Sequence, residues 1–280
     1  MSNIVVSPHS LSTLAGIKIL RNGGNAIDAA IATNIVQGVV APETCGIGGD
    51  LFALIWINGE TKPYCLDSSG YAGSNADLSS LSSYSNIPLD HPMSVTVPGA
   101  VRGWYAMHER FGSLEMKDLF IQAIEICSKG FNVSSELHQS LKRHEESLKM
   151  QDSGKELYPF GKVPGIGDTV QRTMLGKTLK SISDQGSDYF YSGKVSEAIS
   201  DSLTNIVTSD DISSFNPQWV EPLPLEIYGK IGWVTPPQTQ SYLTLATLKI
   251  YEMLDSDFKD IDMHTLIESY RAAASQRDDI

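Results

Sequence analysis

The sequence predicts a mixed α/β globular protein, and three observations carry that reading. Residues 26–39 are apolar on every face, through Ala29, Ala30, Ile31, Ala32, Ile35, Val36 and Val39, as in a helix sunk into a core. Residues 51–57 form a short apolar run rich in aromatic and branched side chains, which suits a strand buried on both faces. Hydrophobic residues are 41% of a 280-residue chain, enough for a sizeable core in one large or two ordinary domains.

Taken in order, residues 2–6 read as a strand. Leu11, Leu14, Ala15 and Ile19 then recur at helical spacing up to Asn22-Gly23-Gly24, a helix stop. Asn25 is placed to cap the buried helix, with Asp28 at its third position. After the turn Gly46-Ile47-Gly48-Gly49 comes the apolar strand, and Asn58-Gly59 signals a hairpin. The return strand spans 62–67, and Pro63 assigns it to an edge or a bulge. Residues 68–86 are Ser-, Gly- and Asn-rich and read as loop. Val95-Thr96-Val97-Pro98-Gly99 is a strand end and turn, followed by helical patterns at 101–111, 116–129 and 134–149. The Pro- and Gly-rich segment 151–173 is the best linker candidate. Helices follow at 174–185 and 193–203, then a strand-like stretch at 223–234, a break at Pro236-Pro237, and helices at 241–254 and 264–276.

With 21 Lys+Arg against 33 Asp+Glu the formal charge is −12, which disfavours nucleic acid and anionic membrane surfaces as partners. No window approaches the roughly 18 apolar residues of a spanning helix. The start has no basic region followed by a long apolar one, so a cytoplasmic location is expected. The odd number of cysteines, Cys45, Cys65 and Cys127, in no metal-spaced pair agrees with a reduced compartment.

Few residues carry chemistry by spacing alone. The glycine turn lacks the Lys-Ser/Thr of a phosphate loop, since Asp50 follows it, and it precedes a strand where a dinucleotide loop would open a helix. It reads as a tight turn. Cys127 and Cys65 read as core, and Cys45 is the cysteine nearest a site-like turn. His9, His91, His108, His138, His144 and His264 show no ligand spacing, and no metal is expected. There is no G-x-S-x-G elbow. Asn132-Val133-Ser134 is a glycosylation sequon, idle without a secretory route. Ser2 would become terminal after methionine removal, the geometry of an N-terminal nucleophile, but reads as an ordinary start.

The motifs say more. Val6-Ser7-Pro8-His9, then the helix ending Arg21-Asn22-Gly23-Gly24-Asn25-Ala26, then Asp28-Ala29-Ala30-Ile31-Ala32, resemble the opening of the γ-glutamyltransferase family. Ala41-Pro42-Glu43-Thr44-Cys45-Gly46-Ile47-Gly48-Gly49 is similar to the family's next turn. Val95-Thr96-Val97-Pro98-Gly99-Ala100, Gly130-Phe131-Asn132, Phe190-Tyr191-Ser192-Gly193, Asp211-Ile212, Pro236-Pro237 and the tail His264, Glu268, Arg277-Asp278 continue the match collinearly.

The resemblance implies an α+β Ntn-hydrolase fold, an αββα sandwich of helices around stacked antiparallel sheets. It implies residues 1–280 as the large-subunit part of an autoprocessed zymogen. The partner is then a small subunit from the same precursor, headed by a threonine nucleophile whose own α-amine is the base. Backbone N–H groups would stabilise the oxyanion, and the acyl group would pass to water or an amine. No cofactor is implied, a heterotetramer is allowed, and some apolar surface should meet the second subunit. The nucleophile segment is absent here, so no catalytic residue is assigned and the chain alone is expected to be inactive.

The same resemblance puts substrate binding at Asp67, Ser68, Ser69, Gly70 and Tyr71, where the family pattern D-x-R-E-x-A-P becomes Asp67-Ser68-Ser69-Gly70-Tyr71-Ala72-Gly73. Ser69 stands at the arginine that grips the substrate α-carboxylate. A serine has no charged fork, and losing that contact should cost about 1.5–3 kcal/mol, roughly tenfold to hundredfold in binding. Arg102 is one candidate substitute; otherwise it is a solvated surface residue. The expected reaction is γ-glutamyl or related amide cleavage with acyl transfer, as in glutathione metabolism. The alternatives are a cephalosporin acylase-like or oxamate amidohydrolase-like member, or a non-catalytic relative.

Overall fold

The structure is a computed structural model that describes residues 3–88, 91–255 and 260–277. Its elements, in chain order, are α1 (Ser10–Arg21), α2 (Ala26–Val40), β1 (Leu51–Ile55), β2 (Tyr64–Ser68), α3 (Ala100–Phe111), α4 (Met116–Lys129), β3 (Phe131–Asn132), α5 (Ser135–Arg143), α6 (Glu145–Lys149), β4 (Thr169–Val170) and α7 (Thr173–Gln185). The rest are α8 (Asp188–Tyr191), α9 (Lys194–Ser202), α10 (Ser209–Ser214), β5 (Gln218–Val220), β6 (Leu223–Ile227), β7 (Lys230–Val234), α11 (Tyr242–Leu254) and α12 (Met263–Ala274). The chain forms two compact units. One holds the described residues up to Asp50 with Gly70–Asn216; the other holds Leu51–Ser69 with those from Pro217 on.

In the first unit α2 is the buried helix its pattern requires, with Ile31, Ala32, Val36 and Val40 fully enclosed. Its start is a reciprocal capping box. Asn25 Oδ1 accepts from the backbone of Ile27 and Asp28, and Asp28 Oδ2 accepts from Asn25 N at 2.9 Å. Asp28 also receives Ser113 N at 3.0 Å and Ser113 Oγ at 2.5 Å, which ties the segment after α3 to the start of α2. Helix α1 lies close on α2: a Cβ on Gly16 would fall 2.3 Å from Thr33 Oγ1. Helix α4 meets α7 where Gly176 leaves room for Cys127. Trp104 on α3 is buried, donates Nε1–H to Asn34 Oδ1 at 2.7 Å and meets Phe120 edge to face.

Segment 151–173 lies inside this unit. It contains short 3₁₀ turns, the β4 strand that pairs with β3, and Tyr158, whose hydroxyl donates to Leu141 O. The helix expected over 134–149 is two helices, because the backbone leaves the helical region at His144 (φ −107°, ψ 21°). Residues 3–6 carry no strand, since no strand among the described residues pairs with them; Ser2 lies outside the described residues. A ladder, not a residue preference, makes a strand.

In the second unit β1, β2 and β5 form an antiparallel sheet in that order. The return strand is therefore central, not an edge. Pro63 is harmless because pairing begins at Tyr64↔Ile55, beyond the residue that lacks an N–H. Strand β1 is buried on one face only: Leu51 and Ile55 are enclosed while Leu54 is 42% exposed. The stretch 223–234 is a hairpin, β6 and β7, turning at Tyr228-Gly229 with both residues at positive φ (48° and 67°). Its inner residues Ile227 and Val234 pack on Leu245 of α11. Among the described residues no helix is long and apolar enough to cross a membrane.

Candidate functional site

Three motif segments meet in the first unit through backbone groups. The glycine turn closes by Gly49 N donating to Gly46 O at 3.1 Å. Gly49 O then accepts from Gly99 N at 3.0 Å and Ala100 N at 2.9 Å, two donors that the start of α3 leaves without helical partners. Asp50 Oδ1 accepts from Gly70 N at 3.1 Å. Tyr71 O accepts from Val97 N at 3.0 Å, and Ala72 bridges Thr96 antiparallel. Gly70 is required by this approach, since a Cβ there would lie 1.7 Å from Val97 O.

The knot is fastened by Tyr191 at the end of α8. Gly99 supplies no side-chain cap to α3. The buried Tyr191 hydroxyl accepts from Arg102 N at 3.2 Å and donates to Pro98 O at 2.7 Å. Burial pushes this phenol up to about 12, against the opposing pull of Arg102, so it stays a neutral donor. Its ring stacks on Phe215 and carries the Arg102 guanidinium 4.3 Å from the ring centroid. Arg102 is not a solvated surface residue. Its side chain is 13% exposed, and Nη2 stands 3.5 Å from Asp188 Oδ1. Arg102 Nη1 is buried and has no hydrogen-bond partner among the described residues.

Tyr71 is half exposed. Its hydroxyl donates to Asp211 O at 2.8 Å, and its ring tilts against Phe215. Asp211 Oδ2 in turn holds Ser74.

The remaining expected site residues, Asp67, Ser68 and Ser69, belong to the second unit. Ser68 ends β2 and is buried. Asp67 pairs across to Phe52 and Gln218. Ser69 N and Oγ both donate to Asp67 Oδ1, at 2.9 and 2.7 Å. The Ser69 hydroxyl is thus engaged by its own loop.

The other candidates take structural places. Cys127 and Cys65 are buried, and burial pushes their thiols up to about 12 and about 11; Cys45 is raised by burial too. His9 caps α1 and His91 caps a short 3₁₀ turn through Nδ1, while His108 and His138 bond the carbonyls of Leu114 and Pro164. Asn132 of the sequon is exposed on β3. Among the described residues no group of three or more His, Cys, Asp or Glu is placed to hold a metal. Asp50, Tyr191 and Asp211 were not among the expected site residues. Tyr191 and Asp211 sit in family-like stretches, and Asp50 directly follows one, but only contacts across the chain give them roles.

A sequence model described as Gamma-glutamyltranspeptidase matches residues 12–280. The chain is 32% identical to a glutathione hydrolase-like YwrD proenzyme of Bacillus subtilis, over 98% of this chain and 54% of that protein. It is 30% identical to an oxamate amidohydrolase proenzyme of Klebsiella pneumoniae, again over 98% and 54%. Among solved structures, the Helicobacter pylori γ-glutamyltranspeptidase superposes with a TM-score of 0.89 at 27% identity, over 99% of this chain and 84% of that one. The present chain spans about half the length of the curated relatives it matches. The mixed helical and antiparallel architecture is that of the Ntn-hydrolase fold, and this chain belongs to the γ-glutamyltranspeptidase family.

Proposed function

We propose that this chain is the large-subunit part of an autoprocessed hydrolase that cleaves γ-glutamyl or related amide bonds and passes the acyl group to water or an amine. The observation that carries the reading is the backbone knot of 46–50, 70–74 and 95–100, built from the motifs that resemble the family. The nucleophile would be the leading threonine of a small subunit cut from the same precursor, with its α-amine as base. Large exposed apolar residues support such a partner: Ile4 and Val6 in the first unit, and Met263, Ile267 and Tyr270 at helical spacing on α12 in the second.

A second reading, an amidohydrolase or acylase for substrates without a γ-glutamyl α-carboxylate, is favoured by two observations. Ser69 spends its donors on Asp67, and Arg102 shares its charge with Tyr191 and Asp188. The test uses the full-length protein. Intact mass should show two chains after self-cleavage, and the product should turn over either a γ-glutamyl anilide or oxamate. A single uncut chain with no amidase activity would leave only a binding relative. If γ-glutamyl turnover is weak, Ser69→Arg should strengthen it by about tenfold or more in KM; no change would sink the idea that Ser69 limits it.

A further inference from the structure

Asp211 makes more contacts than its helix requires. As the third residue of α10 it closes a capping box with Thr208: Thr208 Oγ1 accepts from Asp211 N at 3.1 Å, and Asp211 Oδ2 accepts from Thr208 N at 2.8 Å. That box would complete the cap by itself. Yet the same Oδ2 also accepts from Ser74 N at 2.9 Å and Ser74 Oγ at 3.0 Å. The backbone of Asp211 holds the other end of the loop, since its carbonyl accepts from the Tyr71 hydroxyl at 2.8 Å. One residue therefore grips both ends of 71–74. The loop has no slack between the two grips: a Cβ on Gly73 would fall 2.0 Å from Ile206 O. Asn75 continues the attachment, with N donating to Ile206 O and Nδ2 to Asn205 O.

We propose that Asp211 is a positioning residue for the substrate pocket: its carboxylate anchors the 71–74 loop, and so sets where Tyr71 stands. The proposal rests on the functional reading above and on the family resemblance, which implies a substrate-binding role for Tyr71. A carboxylate suits the task because one anionic oxygen takes three donors, which a neutral amide does less well. Burial pushes the Asp211 carboxyl up, but the hydrogen bonds from Ser74 and Thr208 outweigh that and hold it below the usual range, so the acceptor stays charged. Thr208 is the built-in control, because losing its hydroxyl removes half of the cap and leaves the loop anchor.

The experiment compares Asp211→Ala, Asp211→Asn and Thr208→Val in the full-length processed protein, with circular dichroism to confirm folding. Amide exchange at Ser74 and steady-state kinetics on whichever amide the parent turns over are the two readouts. Asp211→Ala should speed exchange at Ser74 and raise KM by about tenfold or more, with kcat within about threefold. The isosteric Asp211→Asn should fold normally and fall between. Thr208→Val should lower stability without moving KM. Unchanged exchange at Ser74, or a loss confined to kcat, would overturn the proposal, as would a KM change in Thr208→Val equal to that in Asp211→Ala. A parent that turns over neither amide fails the functional reading on that control alone. The exchange rate at Ser74 then still decides whether Asp211 anchors the loop.

Discussion

The Tyr191 hydroxyl donates to the Pro98 carbonyl at 2.7 Å while it accepts from the third amide of α3, so a residue nearly a hundred positions away caps that helix. Gly99, at the cap position, has no side chain to do so. Tyr191→Phe should keep the ring stack with Phe215 and Arg102 and remove only the hydroxyl. It leaves a buried carbonyl and a helix-start amide without partners, a cost of about 1–3 kcal/mol in urea denaturation. An unchanged midpoint would show that solvent replaces the phenol.

Arg102 and Asp188 should behave unequally. Arg102→Ala loses the face of Tyr191 and should cost about 1–2 kcal/mol. Asp188→Ala should be close to silent in the same melts, because Asp188 is 83% exposed and surface ion pairs contribute little. Equal losses would assign the stabilisation to the ion pair instead.

Gly70→Ala should prevent a normal fold or reduce stability severely, since the added carbon meets Val97 backbone at 1.7 Å and backbone cannot step aside. Gly48→Ala is the matched control, with nothing within 4 Å of its Cβ. Soluble yield and melting temperature of the two variants decide the matter. Equal behaviour would mean that the 70–74 loop is free to move off Val97.

Acid should weaken the protein partly through Asp28. Burial alone would raise this carboxyl, but hydrogen bonds from Ser113, Asn25 and Leu114 overcome it and hold it below its ordinary value. The stabilisation is therefore complete above the unfolded value near about pH 4 and is lost as pH falls through the lower folded value. Asp28→Asn should cost about 2 kcal/mol at neutral pH and flatten the stability profile below about pH 4. Denaturation midpoints from pH 7 down to about 2.5 test this; a variant as acid-sensitive as the parent would refute it.

The thiols should be quiet in the native state. Cys65 at about 11 and Cys127 at about 12 hold almost no thiolate at pH near 8, and both are buried. A chromogenic disulfide reagent should label at most Cys45 quickly, and all three cysteines after guanidinium unfolding. Rapid native labelling of Cys127 would mean that the α4–α7 contact opens readily.

Local chemistry reached the sequence reader wherever a signal and its partner lie a few residues apart. The Asn25 cap with Asp28 three residues on, the glycine turn and the Met116–Lys129 helix ending at Gly130 are set by residues a few positions apart, and the all-round apolar run of α2 announces its own burial. The family resemblance also rests on such local motifs, and the matching of residues 12–280 agrees with it.

What depends on distant partners was decided only in three dimensions. Strand β2 is central because β5, some 150 residues later, pairs with its far side; Pro63 pointed to an edge or a bulge, since a proline says nothing about the residues beside it. Residues 3–6 have the composition of a strand but no neighbour to pair with among the described residues. Arg102 reads as a surface cation until Tyr191 is brought beneath it. Asp211 shows in the sequence only as part of a family-like stretch, until the fold delivers Ser74 to its Oδ2. Hydrogen-bond donors and acceptors are fixed by residue type, so the sequence determines what each group can do; which group it meets is a property of the packed chain.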